Sequence, residues 1–413
     1  MSDTNAASDR AVLVVGRRLD DLRSGNGQYL VAYLEACRRA GWRSRLLFAP
    51  RRAFGNLAWA RVAPEIAALV EGVDWPGAVR IGGLYVSTAP VVWARMARRL
   101  WREAAGRLRG RRQRAPPSLL GAELDPREAA ETADWLRRRP AGLLTAEYSS
   151  LAPLLDGQGA ARRAVLLHDL FALRAESFAA RGLPPDHAAP SLAEEAGRCR
   201  AATLLIHASR VEEARLRPLL PQAEHVWLPP AIPRDGASPT LRDRIAPPAA
   251  LFLGTDHAGN RAALELLRRR VWPGVRRQRP EAVLRVAGSI AAALSPAEAA
   301  AEGIEPLGPV ADLATLGGPD AIGLAPMELR SGVPIKVVDY LALGMPVVAS
   351  AGTLDAFGPA LDGLVIEAAD DADYAAVVAR LLSDPRERRC RAAAAAQLAG
   401  RLSPEGLVAA LRR

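Results

Sequence analysis

The chain has 413 residues, half of them hydrophobic and 24% charged, with a formal net charge of +10. That length exceeds one compact core and suits two domains of roughly 200 residues each, and so much apolar content excludes disorder as the default. The three cysteines, Cys37, Cys199 and Cys390, are scattered without ligand spacing, which excludes a disulfide framework and a zinc site. Arginine carries most of the basic excess in an alanine-rich chain, a pairing that base composition alone produces, so the global charge says little about function. The polar start MSDTNAASDR lacks the features of a signal peptide, and no run of about 18 uncharged apolar residues spans a membrane. A cytoplasmic enzyme is the expectation.

In chain order, AVLVVG at 11–16 reads as a strand, followed by a basic glycine-containing loop, the helix QYLVAYLEACRRAG and the strand RSRLLFA, a βαβ opening. AVRIGGLYV, GLLTAEY, RRAVLLHDL and AATLLIHAS (201–209) read as further strands. VWLPPAI at 226–232 is a Pro-rich turn out of the first domain, and DGASPTLRDRIAPP reads as the linker. The second half restarts the pattern with the strand ALFLG (250–254), the helix NRAALELLRRRVWPGVRRQRP and the strand AVLRVAG (282–288). GIEPLGPV, AIGLAP (321–326) and GLVIEA (363–368) continue it, and the last 45 residues read as helical. The expected fold class is α/β: two Rossmann-like domains, 1–235 and 236–390, facing each other across a cleft, with terminal helices at 391–413 returning to the first domain. Ligands of such domains sit beyond the carboxyl ends of the strands.

Five stretches offer chemistry or binding. The loop Arg23-Ser-Gly25-Asn-Gly27 is not a dinucleotide fingerprint, because Leu30 and Val31 stand where small residues belong and no acid closes the second strand. This argues against NAD, leaving a loop near a helix N-terminus that favours anions, or a simple turn. His168 and Asp169 end an apolar strand, where sites form; the alternative is a histidine bonded to a nearby carbonyl. His207 lies within an apolar strand, while His187, His225 and His257 stand alone without metal-ligand spacing, so no metal is expected. In the loop from Gly254 to Asn260, Asn260 reads as a helix N-cap or a residue near it.

In RSGVPIKVVDYLALGMPVVAS (330–350), Ile335 to Leu343 is a helix closed by Gly344, with a buried strand after it. Lys336 and Asp339, three apart, point to one side. Together with the loop after Gly254 they suit a diphosphate, or else form a solvated salt bridge beside a plain βα turn. Residues 89–114 are the most basic stretch, with nine arginines and one glutamate between 95 and 114. Val92, Trp93, Met96, Leu100 and Trp101 fall at roughly helical spacing. This helix reads as resting on anionic lipid, as a packed helix with a solvated arginine face, or, least well supported, as binding nucleic acid.

The chain resembles the retaining glycosyltransferases of family 4, the glycosyl transferases group 1, of GT-B fold. The resemblance is carried by Ser209-Arg210, LPPAI, LFLGTDHAGNRAALELL, VWPGVRRQRPEAVLRVAG, Gly308-x-Val310-x-Asp312, Ala325-Pro326, PIKVVDYLALGMPVVAS and LLSDP, and more loosely by SGNG and the His168-Asp169 pair. It implies a nucleoside-diphosphate sugar bound mainly by the second domain, a glycan or lipid-linked acceptor bound mainly by the first, and neither cofactor nor metal. By resemblance, Gly25 and Gly27 cover the donor phosphates, His168 lies near the sugar, Lys336 is the diphosphate cation, and Gly254 and Val310 belong to donor-side loops. Asp339 takes the second acidic position of the family's E-x7-E motif, where a carboxylate holds the ribose. The first position falls on Ser331, with Glu328 three residues earlier, and the Gly332-x-x-x-Lys336 arrangement resembles members lacking the first glutamate. Where many members carry a basic residue after Gly254, this chain has Thr255-Asp256-His257, with Arg261 as a stand-in.

The implied reaction retains the anomeric configuration. Lys336 and backbone N–H groups stabilise the leaving diphosphate, which helps deprotonate the acceptor, while His168 positions the donor. The implied setting is surface polysaccharide or glycolipid assembly at the inner face of a membrane, with no nucleic acid. The rivals are a nucleotide-sugar epimerase and a degenerate homologue acting as a binding or regulatory subunit, the latter suggested by Ser331.

Overall fold

The computed structural model describes residues 9–20, 25–108, 118–232, 248–327 and 332–413. The chain divides into two compact units, Met1–Pro229 with Pro404–Arg413, and Pro230–Ser403. Nearly all of the segment read as a linker lies outside the described residues.

The first unit holds β1 (Arg10–Val15), β2 (Arg43–Phe48), β3 (Trp59–Ala60), β4 (Gly72–Asp74), β5 (Ala78–Ile81), β6 (Leu84–Ser87), β7 (Leu143–Glu147), β8 (Arg162–Leu167), β9 (Leu204–His207) and β10 (Glu224–Trp227). Seven of them form a parallel sheet in the order β10-β9-β8-β7-β1-β2-β4. Its central strands are near-continuous apolar runs because helices cover both faces. The order reverses between β1 and β7, so the loops after these strands splay apart and leave a crevice. AVRIGGLYV, read as one strand, is a hairpin. Gly82 (φ 53°) and Gly83 (φ 87°) supply the two positive-φ residues of a tight two-residue turn. Strands β3, β6 and β5 form a separate antiparallel sheet in that order. The helix Glu405–Arg412 packs on the helix Gly25–Ala40 with Leu407 and Leu411 buried, and the Trp42 indole N–H donates to the Leu411 carbonyl at 2.8 Å.

The second unit holds β11 (Ala249–Leu253), β12 (Leu284–Ala287), β13 (Ile304–Gly308), β14 (Ala321–Ala325), β15 (Val347–Ser350) and β16 (Val365–Ala368). They form a parallel sheet in the order β13-β12-β11-β14-β15-β16, again with a reversal, here between β11 and β14. Phe252, Trp272, Tyr340 and Tyr374 are fully buried. Gly288 (φ 96°) must be glycine, since a Cβ there would lie 2.1 Å from the Gly254 carbonyl oxygen.

His207 and His225, the latter expected to stand alone, form a stacked buried pair with ring centroids 5.1 Å apart. His225 Nε2 donates to the Leu220 carbonyl at 3.0 Å, so its Nδ1 accepts from His207 Nε2 at 2.9 Å. This relay needs His225 neutral so that its Nδ1 can accept, and burial keeps His207 neutral as well, pushing its pKa down to about 3. A histidine with a depressed folded pKa stabilises above its unfolded value of about 6.5, and that contribution is lost as pH falls towards the folded value. Urea unfolding of the wild type is therefore expected to lose about 2 kcal/mol from this group between pH 7 and 5. His207→Phe is expected to have a shallower pH slope; an unchanged slope would show that the pair does not sense acid.

Candidate active site

In the second unit the site forms at the strand-order reversal. β11 and β14 pair at three positions, from Ala249–Ala321 to Leu251–Gly323. Beyond that point the Tyr340 hydroxyl bridges the diverging strands, accepting from the Leu253 N–H at 2.7 Å and donating to the Leu324 carbonyl at 3.1 Å. Tyr340 lies on the helix Ile335–Ala342, and its ring requires the bare Gly323, where a Cβ would come within 2.4 Å.

Lys336, one turn earlier on that helix and half-buried, donates from Nζ to Asn260 Oδ1 at 2.8 Å. Its ammonium sits 4.1 Å from the centroid of the buried Phe252 ring. Asn260 is fixed in turn, its Nδ2 donating to the Thr255 carbonyl at 2.9 Å. A neutral amide and an aromatic face thus hold the cation. Burial pushes its pKa down to about 7, against the upward pull of Asp339. Such a charge gains strongly from an anion brought to it.

The loop after β11 differs from the expected cradle. His257, rather than Asn260, caps the helix Ala258–Leu266, its Nδ1 accepting from the Gly259 and Asn260 N–H groups at 3.1 and 3.4 Å. Asn260 is drawn inward instead because Lys336 offers it a charged donor. Arg261 lies on Asp256, with Nε–Oδ1 at 2.5 Å and Nη2–Oδ2 at 2.7 Å, so its own loop engages this cation. Gly254 ends β11, Val310 lies in the loop after β13, and Asp339 shares the Lys336 helix. Gly332 takes φ 68° in the loop before that helix, a conformation suited to glycine. Ser331 and Glu328 lie outside the described residues. The structure thus places Gly254 and Arg261 in the segment that follows β11, and Lys336 and Asp339 on the helix that follows β14, with Val310 two strands away from β11.

In the first unit Gly25 and Gly27 belong to the first turn of the helix Gly25–Ala40 rather than to a preceding loop. Burial of Tyr29, Leu30, Tyr33 and Leu34 carries that turn despite glycine's weak propensity. His168 follows β8, and its side chain is fully buried. Its Nε2 donates to Glu147 Oε1 at 3.0 Å, and Arg17 Nε donates to the same oxygen at 2.9 Å. Burial would raise the Glu147 pKa, but the Arg17 charge and the His168 hydrogen bond outweigh it and hold the carboxylate ionised. Among the described residues, Glu147 Oε2 and His168 Nδ1 are buried without a protein partner, an acceptor pair able to receive hydroxyl donors.

Tyr148, next to Glu147, has φ 66° and ψ 159°, a region nearly reserved for glycine that costs about 1–3 kcal/mol. Among the described residues it alone is a non-glycine with positive φ. Both ends hold it there: its N–H donates to the Leu166 carbonyl at 2.9 Å, and its hydroxyl accepts from Asn26 Nδ2. Its ring covers His168 at 4.8 Å between centroids. Arg17 in turn donates to the Asn26 carbonyl at 3.1 Å. Sequence reading missed Arg17, Glu147 and Tyr148. Glu147 was findable by the rule that selected His168, since it is the polar residue ending the apolar strand GLLTAE.

Residues 247–384 match the family described as glycosyl transferases group 1. The whole chain is similar in structure to a sucrose-phosphate synthase from Thermosynechococcus elongatus, with TM-score 0.62 and 14% identity over 97% of this chain and 96% of that one. It is also similar to a structure described as trehalose-6-phosphate from E. coli bound with UDP-2-fluoro glucose, with TM-score 0.57 and 13% identity over 98% and 99% of the two chains. WaaG, a glycosyltransferase involved in lipopolysaccharide biosynthesis, gives TM-score 0.55 and 14% identity over 97% and 99%. No curated protein matches the chain.

Proposed function

We propose that this chain, whose fold is GT-B and whose residues 247–384 match the glycosyl transferases group 1 family, is a glycosyltransferase that moves a sugar, with retention at the anomeric carbon, from a nucleoside-diphosphate donor to a glycan or lipid-linked acceptor. The observation that carries the donor class is Lys336, a cation held by Asn260 and Phe252 where the sheet order reverses. A diphosphate leaving group brings an anion to this charge, whose hydrogen-bond partner among the described residues is a neutral amide, and the developing charge is stabilised most where water is excluded. On this reading Gly254, Gly332, Val310 and Asp339 serve the donor phosphates, sugar and ribose. On the same reading, Ser331, which precedes Gly332 in sequence, belongs to the donor side, and Gly25 and Gly27 attend the donor phosphates.

His168 orients the donor sugar rather than attacking it, its Nε2–H committed to Glu147 and its Nδ1 left to accept a sugar hydroxyl. Proton removal from the acceptor falls to the departing phosphate. The UDP sugar in the E. coli neighbour supports a nucleotide sugar, and the lipopolysaccharide role of WaaG supports a glycolipid or surface polysaccharide acceptor. Peripheral association with the inner, anionic face of a membrane completes the reading. A second reading, a homologue that binds nucleotide without turnover, draws on Arg261 being engaged by Asp256 and on His257 occupying helix N–H groups.

Incubation with UDP-, GDP-, ADP- and TDP-sugars decides between the two, with free diphosphate and the anomeric proton of any product followed by NMR. Release from one donor with the donor's anomeric configuration in the product is expected. Tight binding of a donor with no release in the presence of lipid-linked acceptors would favour the second reading.

A further inference from the structure

The helix Pro90–Leu108 has its apolar stripe on the wrong side for a packed helix. Val92 is fully buried, but Trp93, Leu100 and Trp101 are 41%, 52% and 71% exposed. Spaced at i, i+7 and i+8, these three share one face, which exposed Ala97 and Ala104 extend. The side of the helix that holds the buried Val92 also carries Arg95, which donates to the Gly55 carbonyl at 3.1 Å, and an exposed Arg99–Glu103 pair at 2.6 Å. The Trp93–Leu100–Trp101 stripe is therefore not packed into the core.

The antiparallel sheet extends the same anomaly. Trp59 and Val79 both lie opposite Val86 on its neighbouring strands, so the three share one sheet face, and Ile81 joins them two residues on. The other face carries Tyr85, whose ring lies 5.5 Å from that of the buried Trp75. The outer face, where polar residues belong on a half-solvated sheet, exposes Trp59, Val79 and Ile81 by 40%, 50% and 61%. The Trp59 and Trp93 rings, 6.5 Å apart, join sheet to helix in one surface.

We propose that this surface is where the protein enters an anionic lipid bilayer, with the outer sheet face and the Trp93–Leu100–Trp101 stripe in the acyl boundary. The inference rests on the membrane association proposed above and names the face that performs it. Charge complementarity selects the occupant. Arg98 and Arg102 are exposed on the flank of the stripe, and the single acid of the helix, Glu103, is paired with Arg99. Tryptophans with arginines beside them match the headgroup level of an anionic leaflet. No described helix is long and apolar enough to cross a membrane, so the contact is interfacial.

Co-sedimentation of the full chain with phosphatidylcholine vesicles, with and without 25% phosphatidylglycerol, tests this. The wild type is expected to bind the anionic vesicles at least ~10-fold more tightly than the neutral ones. Leu100→Ser with Trp101→Ser is expected to weaken that binding ~10-fold or more, and Arg98→Glu with Arg102→Glu to remove the preference for anionic lipid. Because these side chains are exposed, the variants should keep the wild-type melting temperature. Vesicle binding unchanged in both variants would overturn the proposed face while leaving membrane association standing, whereas no binding by the wild type would overturn both. A wild-type dimer in analytical ultracentrifugation that Trp101→Ser dissociates would make a second copy the occupant and refute the lipid assignment.

Discussion

Replacing Lys336 with alanine is expected to weaken nucleoside-diphosphate binding by roughly 10- to 100-fold, the worth of one to two charge-assisted hydrogen bonds. Stability at neutral pH should not fall, because the folded environment disfavours the charged lysine that is being removed. The pH dependence gives the sharper test. With a pKa pushed down to about 7 by burial, Lys336 is charged below that pH in the unliganded protein and increasingly neutral above it. A diphosphate binds the charged form, so affinity should hold below pH 7 and fall by up to about tenfold per unit above it. Binding near pH 8 should take up protons, seen as a dependence of calorimetric enthalpy on the buffer's ionisation heat. Lys336→Arg keeps the charge without a nearby pKa and should bind with a flat profile. A wild-type affinity indifferent to pH between 6.5 and 9 would remove Lys336 from the phosphate site.

Glu147→Leu is expected to cost about 3–5 kcal/mol of folding stability, among the largest single-residue effects in the chain. The substitution removes the acceptor shared by Arg17 and His168 and leaves the arginine without its carboxylate in a nearly enclosed position. Glu71→Leu is the control. It breaks the Arg43–Glu71 pair, 2.6 Å apart but exposed, and should cost no more than about 1 kcal/mol. The Glu147 contribution also has a pH signature. Its folded pKa lies below the ordinary carboxylate value, so the stabilisation is present above about pH 4.5 and is lost as pH falls through the folded value. Equal costs for Glu147→Leu and Glu71→Leu in urea unfolding would show that the buried cluster does not hold this end of the sheet together.

The parallel strands were legible because each is a short apolar run bounded by turn residues, as in AVLVVG and ALFLG. Lys336 was legible for the same reason, since a lone cation at the start of an apolar helix stands out. Its partners were not. Asn260 sits 76 positions away, and its role as acceptor rather than cap follows from the pairing of β11 with β14, which no local pattern encodes. Arg17, Glu147 and His168 come from three strands whose adjacency depends on sheet order. The hairpin in AVRIGGLYV was hidden because a Gly-Gly turn inside an apolar run reads as one strand until its positive φ angles are known. The stripe of the Pro90–Leu108 helix was visible, but its outward orientation belongs to packing alone.

Calorimetric titration of the wild type and Lys336→Ala with UDP, GDP, ADP and TDP tests the central claim most directly. Tight binding of one nucleotide by the wild type, weakened roughly 10- to 100-fold in the variant, is the predicted result, and it also names the donor base. A nucleotide bound equally well by both proteins, or none bound by the wild type either alone or as its intact sugar, would contradict a donor site built around Lys336.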